Sequence, residues 1–149
     1  MADQAHIAAA IDVGSNSVHL LVSERIDGSH VVLRDESVLL GLWAMVDMEG
    51  FVPDEGMGAA IEALRGYIDV ADEEGASSIT LLATEPLRRA SNRTRFCEAV
   101  EDATGYPLHA LSHQEEALLT VLGVLDGRPV SEPMLVLDIG GGSTEIVLL

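Results

Sequence analysis

Two short turns rich in glycine and serine, each opened by an aspartate, contain the residue types that bind phosphate. The first runs from Asp12 to Ser17 and the second from Asp138 to Ser143. Glycine lets the backbone adopt positive φ and approach a ligand closely, and consecutive N–H groups in such a turn form a concave anion site. The candidate phosphate-binding residues of the two turns are Gly14, Ser15, Asn16, Ser17, Gly140, Gly141, Gly142 and Ser143.

The two aspartates, Asp12 and Asp138, stand at the ends of apolar runs, directly before the turns. Each could hold a hydrated divalent cation, most simply Mg²⁺, whose charge offsets that of phosphate. An ordinary hairpin is the alternative, because Asp and Gly favour turns in any protein. Two matched copies in one chain favour the phosphate-binding interpretation. Neither copy is a P-loop, since no lysine follows and each turn leads into an apolar strand.

The elements that position these turns follow from hydrophobic periodicity. Strands are predicted over residues 7–12, 18–23, 31–40, 79–83, 108–111, 134–138 and 144–149. Helices are predicted from Pro53 to a stop at Gly75, over residues 93–104, and from Ser112 to about residue 122, with Asn92 as the cap of the second helix. Strands that alternate with helices predict an α/β sheet with helices on both faces.

An internal repeat sets the domain organisation. Residues 11–17 realign on residues 137–143, so the same strand, turn and strand occur twice. We therefore predict a first domain over residues 1–128. A linker and the opening hairpin of a second, truncated domain are predicted over residues 129–149.

Composition limits the partners. The 149-residue chain has a net charge of −17 and no lysine, which argues against binding to nucleic acid or to an anionic membrane. The apolar runs are too short to cross a bilayer. The segment from Met1 to His6 does not resemble a secretory signal, and Cys97 is the single cysteine, so a cytoplasmic location is expected. Four of the eight arginines lie in the segment from Arg88 to Arg95. They could form an anion-binding site, or they could be solvent-exposed residues at the start of a helix.

Four segments in order resemble one known family. The two turns, the second continued by Thr144 and Glu145, are similar to the phosphate loops of the exopolyphosphatase/guanosine-pentaphosphate phosphatase family. The segment from Ala83 to Asn92 and the helix from Glu115 to Val124 resemble two further motifs of that family. The resemblance extends from residue 8 to residue 149.

The resemblance implies an actin-like, ribonuclease H-like fold and the hydrolysis of terminal phosphoanhydride bonds with a divalent cation. Inorganic polyphosphate or guanosine penta- and tetraphosphate would be the ligands, and a homodimer is a further expectation. The alternative is a degenerate module that binds a polyphosphorylated ligand without hydrolysing it. The chain by itself is expected to be inactive, because the family's site lies between two lobes.

The resemblance also assigns roles. A glutamate serves as the base, and Glu115 and Glu116 compete for it. Glu115 stands where a capping box with Ser112 gives it a structural role, so Glu116 is favoured. Glu145 is a third catalytic candidate, either orienting water or metal or simply facing solvent. Arg88 matches the family's phosphate-binding arginine, and Arg93 is a weaker candidate for the same role.

Three residues depart from the family pattern. Glu85 stands in place of a serine, His113 in place of a glycine, and Leu39 in place of a basic residue. Each makes the site bulkier or less positive, which argues against efficient use of long polyphosphate. His19, His109 and His113 show no metal-ligand spacing and are predicted to be non-catalytic.

Overall fold

The computed structural model describes residues 6–149, so most of the segment from Met1 to His6 lies outside the described residues. Its main sheet has five strands in the order β3-β2-β1-β4-β5. The strands are β1 (His6–Val13), β2 (Ser17–Ile26), β3 (Ser29–Leu39), β4 (Ser78–Ala83) and β5 (Leu108–Ala110). β1, β2 and β3 are antiparallel neighbours, whereas β4 pairs in parallel with both β1 and β5.

Five helices and a second, two-stranded sheet make up the rest of residues 6–149. The helices are α1 (Leu42–Glu49), α2 (Asp54–Glu73), α3 (Glu85–Arg89), α4 (Arg93–Thr104) and α5 (His113–Leu125). The small sheet pairs β6 (Leu135–Ile139) with β7 (Thr144–Leu148) in antiparallel fashion. The predicted α/β class is confirmed, and the main sheet is mixed, with both antiparallel and parallel pairs.

One face of the main sheet forms the core. Alternate residues of β1 and β2, including Ile11, Val13 and Leu20, are fully buried together with Leu64 of α2 and Phe96 of α4. Burying one such side chain contributes about 1.5–3 kcal/mol. Because side chains alternate along a strand, the residue between two core positions of β1 points to the opposite face. That residue is Asp12, which the core therefore holds on a rigid strand.

Two helices were not predicted from the sequence. α1 begins after Gly41, which has a φ of 66°, and α3 is a five-residue helix with Pro86 in its first turn. Neither helix is long enough to show the repeating apolar spacing on which sequence prediction relies. α1 adjoins the first glycine turn, and α3 contains the first two arginines of the cluster.

Asn92 precedes α4 as expected, but its side chain does not cap the helix. Its Oδ1 accepts from the backbone N–H of Val52 at 3.0 Å, and its Nδ2 donates to the carbonyl of Val52 at 2.8 Å. The capping prediction was wrong. Two hydrogen bonds that satisfy both backbone groups of Val52 outweigh the single bond of a cap.

The hairpin of β6 and β7 pairs with no other strand of residues 6–149. It carries large exposed apolar side chains, as does α5: Leu118, Leu119, Leu122, Leu135, Leu137, Ile139, Ile146 and Leu148. The division at residue 128 and the homodimer stay predictions. Within the described residues, no helix combines the length and apolarity needed to cross a membrane.

Candidate functional site

The two glycine turns are closed by the same backbone hydrogen bond. Gly14 donates its N–H to the carbonyl of Ser17 at 2.9 Å, and Gly140 donates to the carbonyl of Ser143 at 3.0 Å. The first turn joins β1 to β2 and the second joins β6 to β7. The sequence repeat is thus also a structural repeat.

The first turn is anchored by the start of α1. The N–H groups of Leu40 and Gly41 both donate to the carbonyl of Asn16, at 2.8 and 2.9 Å. The N–H of Trp43 donates to the carbonyl of Ser15 at 2.9 Å. These bonds fix the backbone of the turn.

The second turn leaves little room for a side chain at two of its glycines. A Cβ added to Gly141 would lie 2.5 Å from Asn16 Nδ2, and one added to Gly142 would lie 2.7 Å from Ser15 Oγ. The Cβ added to Gly142 would also lie 3.0 Å from the ring of Trp43. The expectation of positive φ was wrong, because none of the turn glycines adopts it. The glycines instead allow the two turns to touch.

A polar pocket of about 230 Å³ lies where the turns meet. It is lined by Asp12, Gly14, Ser15, Asn16, Ser17, Thr84, Glu116, Asp138, Gly140, Gly141 and Ser143. All of these except Thr84 were candidates from the sequence. Three of the lining residues are acidic, and among residues 6–149 no basic side chain lines the pocket.

Asp12 is a partly buried acid of this pocket, and one of its two carboxylate oxygens is fully buried. Its Oδ1 is inaccessible to solvent and accepts no hydrogen bond from the described residues. Burial, together with the nearby charges of Glu116 and Asp138 and against that of His19, raises the pKa of Asp12 from 3.8 to about 6. An unpaired, buried carboxylate oxygen beside two further carboxylates suits a divalent cation, which prefers oxygen ligands.

Asp138 faces Asp12 across the pocket and is oriented by a residue that sequence reasoning missed. Thr120 Oγ1 donates to Asp138 Oδ2 at 2.7 Å. Thr120 stands four residues after Glu116 on α5, so both side chains lie on the same face of the helix. That spacing was the available signal.

The two competing glutamates lie in different places. Ser112 and Glu115 form the predicted capping box, in which Glu115 Oε2 accepts from the backbone N–H of Ser112 at 2.8 Å. The backbone hydrogen bond from Ser112 lowers the pKa of Glu115, which is exposed. Glu116 instead lines the pocket.

Arg88 is almost fully engaged by the protein. Its Nε and Nη2 lie 2.9 Å from Glu85 Oε2, and its Nη1 donates to Glu116 at 2.5 Å and to the carbonyl of Leu111 at 3.0 Å. Only the contact of Nη2 with Ser143 Oγ, at 3.5 Å, points toward a turn. Burial by itself lowers the pKa of Arg88, but the bonds to Glu116 and Glu85 outweigh it and the pKa is raised.

The remaining arginines of the cluster do not form an open anion site. Arg89 lies over the ring of Trp43, 5.3 Å from its centre, and Arg95 pairs with Asp54 at 2.9 Å. Arg93 is exposed on the first turn of α4 and does not line the pocket. Its phosphate-binding role stays a prediction without a supporting contact.

Glu145 and His113 lie together at the rim. Glu145 is 7% exposed, so the solvent-facing alternative for it was wrong. His113 Nδ1 lies 3.1 Å from Glu145 Oε1, and its Nε2 lies 3.6 Å from Glu85 Oε2. Two departures from the family pattern, Glu85 and His113, are therefore spatial neighbours.

Comparison with known proteins gives consistent matches. The model of the Ppx/GppA phosphatase family matches residues 21–149. The chain is similar to a Ppx/GppA family member from Aquifex aeolicus, with 26% identity and a TM-score of 0.87 over 97% of this chain and 51% of that one. An exopolyphosphatase from Cytophaga hutchinsonii matches with 26% identity and a TM-score of 0.87, over 96% of this chain and 46% of that one.

A more distant structure shares the fold alone. The ethanolamine utilization protein EutJ from Carboxydothermus hydrogenoformans has 20% identity and a TM-score of 0.53, over 94% of this chain and 46% of that one. The chain thus spans about half the length of these solved structures.

The raised pKa of Asp12 predicts a pH-dependent stability. Because folding raises this pKa, the charged carboxylate destabilises the fold above pH 6, and this effect fades as the pH falls from 6 toward 4. Asp12→Asn should stabilise the metal-free chain by about 1–3 kcal/mol at neutral pH and by less than about 1 kcal/mol near pH 4. Chemical denaturation across this pH range measures the difference. An equal effect of the substitution at every pH would contradict the argument.

Proposed function

Because the chain belongs to the Ppx/GppA phosphatase family, we propose that its pocket positions the terminal phosphate of a phosphoanhydride chain for hydrolysis. The substrate would be inorganic polyphosphate or guanosine pentaphosphate. Since the chain spans about half of its solved relatives, we assign this activity to the full-length protein. The observation that carries the proposal is the position of Glu116, between the two glycine turns and beside Asp12 and Asp138.

The turns would bind the phosphate through their backbone. Gly14 and Gly140 stand at equivalent points of the two hairpins, so N–H groups and hydroxyls approach the pocket from both sides. Backbone donors suit this role because they are already fixed in place and need no counter-charge of their own.

Asp12 and Asp138 would hold the divalent cation, with Mg²⁺ as the expected ion. When bound, the cation neutralises phosphate oxygens and the negative charge that develops on them during transfer. Without it, the three carboxylates of the pocket would repel an anionic substrate. Thr120 keeps the Asp138 carboxylate turned toward the pocket through its 2.7 Å hydrogen bond.

Glu116 would orient the attacking water and accept its proton. One carboxylate oxygen is bound by Arg88 at 2.5 Å, which leaves the other free for water. Arg88 thereby positions the base, and its remaining donors are held by Glu85 and by the carbonyl of Leu111. Glu115 contributes to the helix start instead.

A second candidate function is binding without hydrolysis. Glu85 occupies the edge of the Arg88 guanidinium that would otherwise be available to phosphate, and both side chains are about nine-tenths buried. Because Arg88 is engaged in internal ion pairs, the site could bind a polyphosphorylated ligand without hydrolysing it. Binding of guanosine pentaphosphate by the wild-type full-length protein, with no phosphate release, would favour this alternative.

The base assignment predicts opposite outcomes for two adjacent glutamates. In the full-length protein, Glu116→Gln should lower turnover by about 10²–10⁴-fold, the usual contribution of general-base catalysis. Substrate affinity should stay similar or rise, because a negative charge facing phosphate is removed. Initial rates of phosphate release measure the effect.

Glu115→Gln is the matched control for this experiment. It should leave turnover nearly unchanged and lower stability by less than about 1 kcal/mol, since it weakens a capping box. Loss of turnover in Glu115→Gln with full activity in Glu116→Gln would transfer the role of base to Glu115.

Charge predicts a preference for short substrates. Long polyphosphate needs a continuous cationic track, whereas the arginine beside the pocket, Arg88, is engaged in ion pairs and the chain has a net charge of −17. Glu85→Ser should release Arg88 for phosphate and lower KM for long chains several-fold, measured on chains of defined length. Glu101→Ser, which removes an acid from the exposed face of α4, is the control. Equal use of long and short chains by the wild type, unchanged in Glu85→Ser, would refute this preference.

A further inference from the structure

An apolar groove of about 480 Å³ lies between the edge strand β3 and helix α2. Val38 of β3 and Leu40, which follows the end of this strand, form one wall. The other wall consists of four residues of α2: Ala59, Ala63, Gly66 and Val70. None of the residues that line this groove also lines the pocket between the glycine turns. The groove is therefore a separate feature of the surface.

The α2 wall is a side of the helix that the core uses only in part. Its four residues are spaced by four, three and four positions, which places them on one side of a helix. Leu64 and Ile68 pack into the core, whereas Ala63 and Val70 are only partly buried. A Cβ added to Gly66 would meet no atom within 4 Å. Small side chains on this wall thus leave room for a group from outside.

The β3 wall has an unpaired edge. β3 is a terminal strand of the main sheet and runs for 11 residues, and no other strand of residues 6–149 pairs with its outer side. An edge strand presents N–H and C=O groups that can pair with an added strand. Peptides bind in this way when an extended segment lies along a sheet edge and inserts alternate side chains into pockets beside it. The groove lies where such a pocket would be.

The direction of the β3 side chains agrees with this mode of binding. Glu36 and Val38 stand opposite fully buried residues of β2, so their side chains point to the face of the sheet that α2 covers. Arg34 lies on the same face, and its Nη2 is 2.7 Å from Oε1 of Glu74, the residue that ends α2. This ion pair connects the two walls at one end of the groove.

The charged groups at the groove are acidic. Glu62 lines it. Burial, and after it the charge of Glu36, raises the pKa of Tyr67, another lining residue. Among residues 6–149, no basic side chain lines the groove, and Arg34 beside it is paired with Glu74. The groove is therefore complementary to an apolar ligand that carries positive charge.

We propose that the groove binds an extended peptide segment of a partner protein, which adds to the free edge of β3. One apolar side chain of the peptide lies between β3 and α2, and a lysine or arginine two positions away reaches Glu62. Residues two positions apart share a face of an extended strand, so both can face the groove. A second copy of this chain is a poor occupant, because its own β3 carries Asp35 and Glu36 and each copy has a net charge of −17. The proposal does not depend on the hydrolysis of any substrate.

Selection from a displayed library of random seven-residue peptides, with the full-length protein as the target, provides the probe. The enriched peptides should share an apolar residue and a lysine or arginine two positions from it. The most enriched peptide is then synthesised with a fluorescent label, and its Kd is measured by fluorescence anisotropy. An absence of enrichment, or enriched peptides without this pattern, would overturn the proposal.

Two glycine variants of α2 locate the site. Gly66→Leu fills the groove and should weaken peptide binding at least tenfold. This variant should fold, since the added side chain enters open space and leucine favours a helix more than glycine does, which thermal unfolding verifies. Gly58→Leu is the matched control and should bind the peptide as the wild type does. Gly58 is exposed on α2, has the same free space around it and does not line the groove.

Charge reversal provides a second comparison. Glu62→Lys should weaken binding of the basic peptide at least tenfold, because it replaces the partner of the peptide's cation by a like charge. Asp72→Lys changes the net charge equally, at an exposed residue of α2 outside the groove, and should bind the peptide as the wild type does. Unchanged binding in Gly66→Leu would overturn the proposal. Self-association of the wild type that Gly66→Leu abolishes would also overturn it, by identifying a second copy as the occupant.

Discussion

The close approach of the two glycine turns is the constraint on which the site depends. No side chain fits at Gly141 or Gly142 without meeting Ser15, Asn16 or Trp43. Because the turns touch, the acids that precede them are brought into one pocket together with Glu116. The buried face of the main sheet holds the two strands that flank the first turn. Backbone hydrogen bonds from the start of α1 fix the turn itself.

This proximity has an electrostatic cost that the protein offsets, among residues 6–149, only at Glu116, through its ion pair with Arg88. Asp12, Asp138 and Glu116 share a pocket without a basic lining residue in the described chain, and the pKa of Asp12 rises to about 6 as a result of burial and these neighbours. Arg88 is held by Glu85 and Glu116 rather than presented to the pocket. Under the proposed function, a cation would therefore have to bind before an anionic substrate could enter. Affinity and catalysis in this site should both depend on the ion.

Much of this arrangement could be predicted from the sequence, for definable reasons. The repeat of an aspartate before a glycine turn is local in sequence, so Asp12 and Asp138 were identified as a pair. The capping box is equally local, and it separated Glu115 from Glu116. What could not be predicted were contacts between distant segments. These contacts are the hydrogen bond from Thr120, the approach of His113 to Glu85 and the close contact between the two glycine turns. They arise only when α5 and the hairpin meet the rest of the fold.

The central claim is that a cation and the two turns together act on a terminal phosphate. The most direct test is phosphate release by the full-length protein, with polyphosphate and guanosine pentaphosphate supplied side by side, in the presence and absence of Mg²⁺. The account predicts release from at least one of the two substrates, abolished when divalent cations are chelated and restored by adding them back. Release that continues unchanged without divalent cations, or no release from either substrate at any cation concentration, would contradict it.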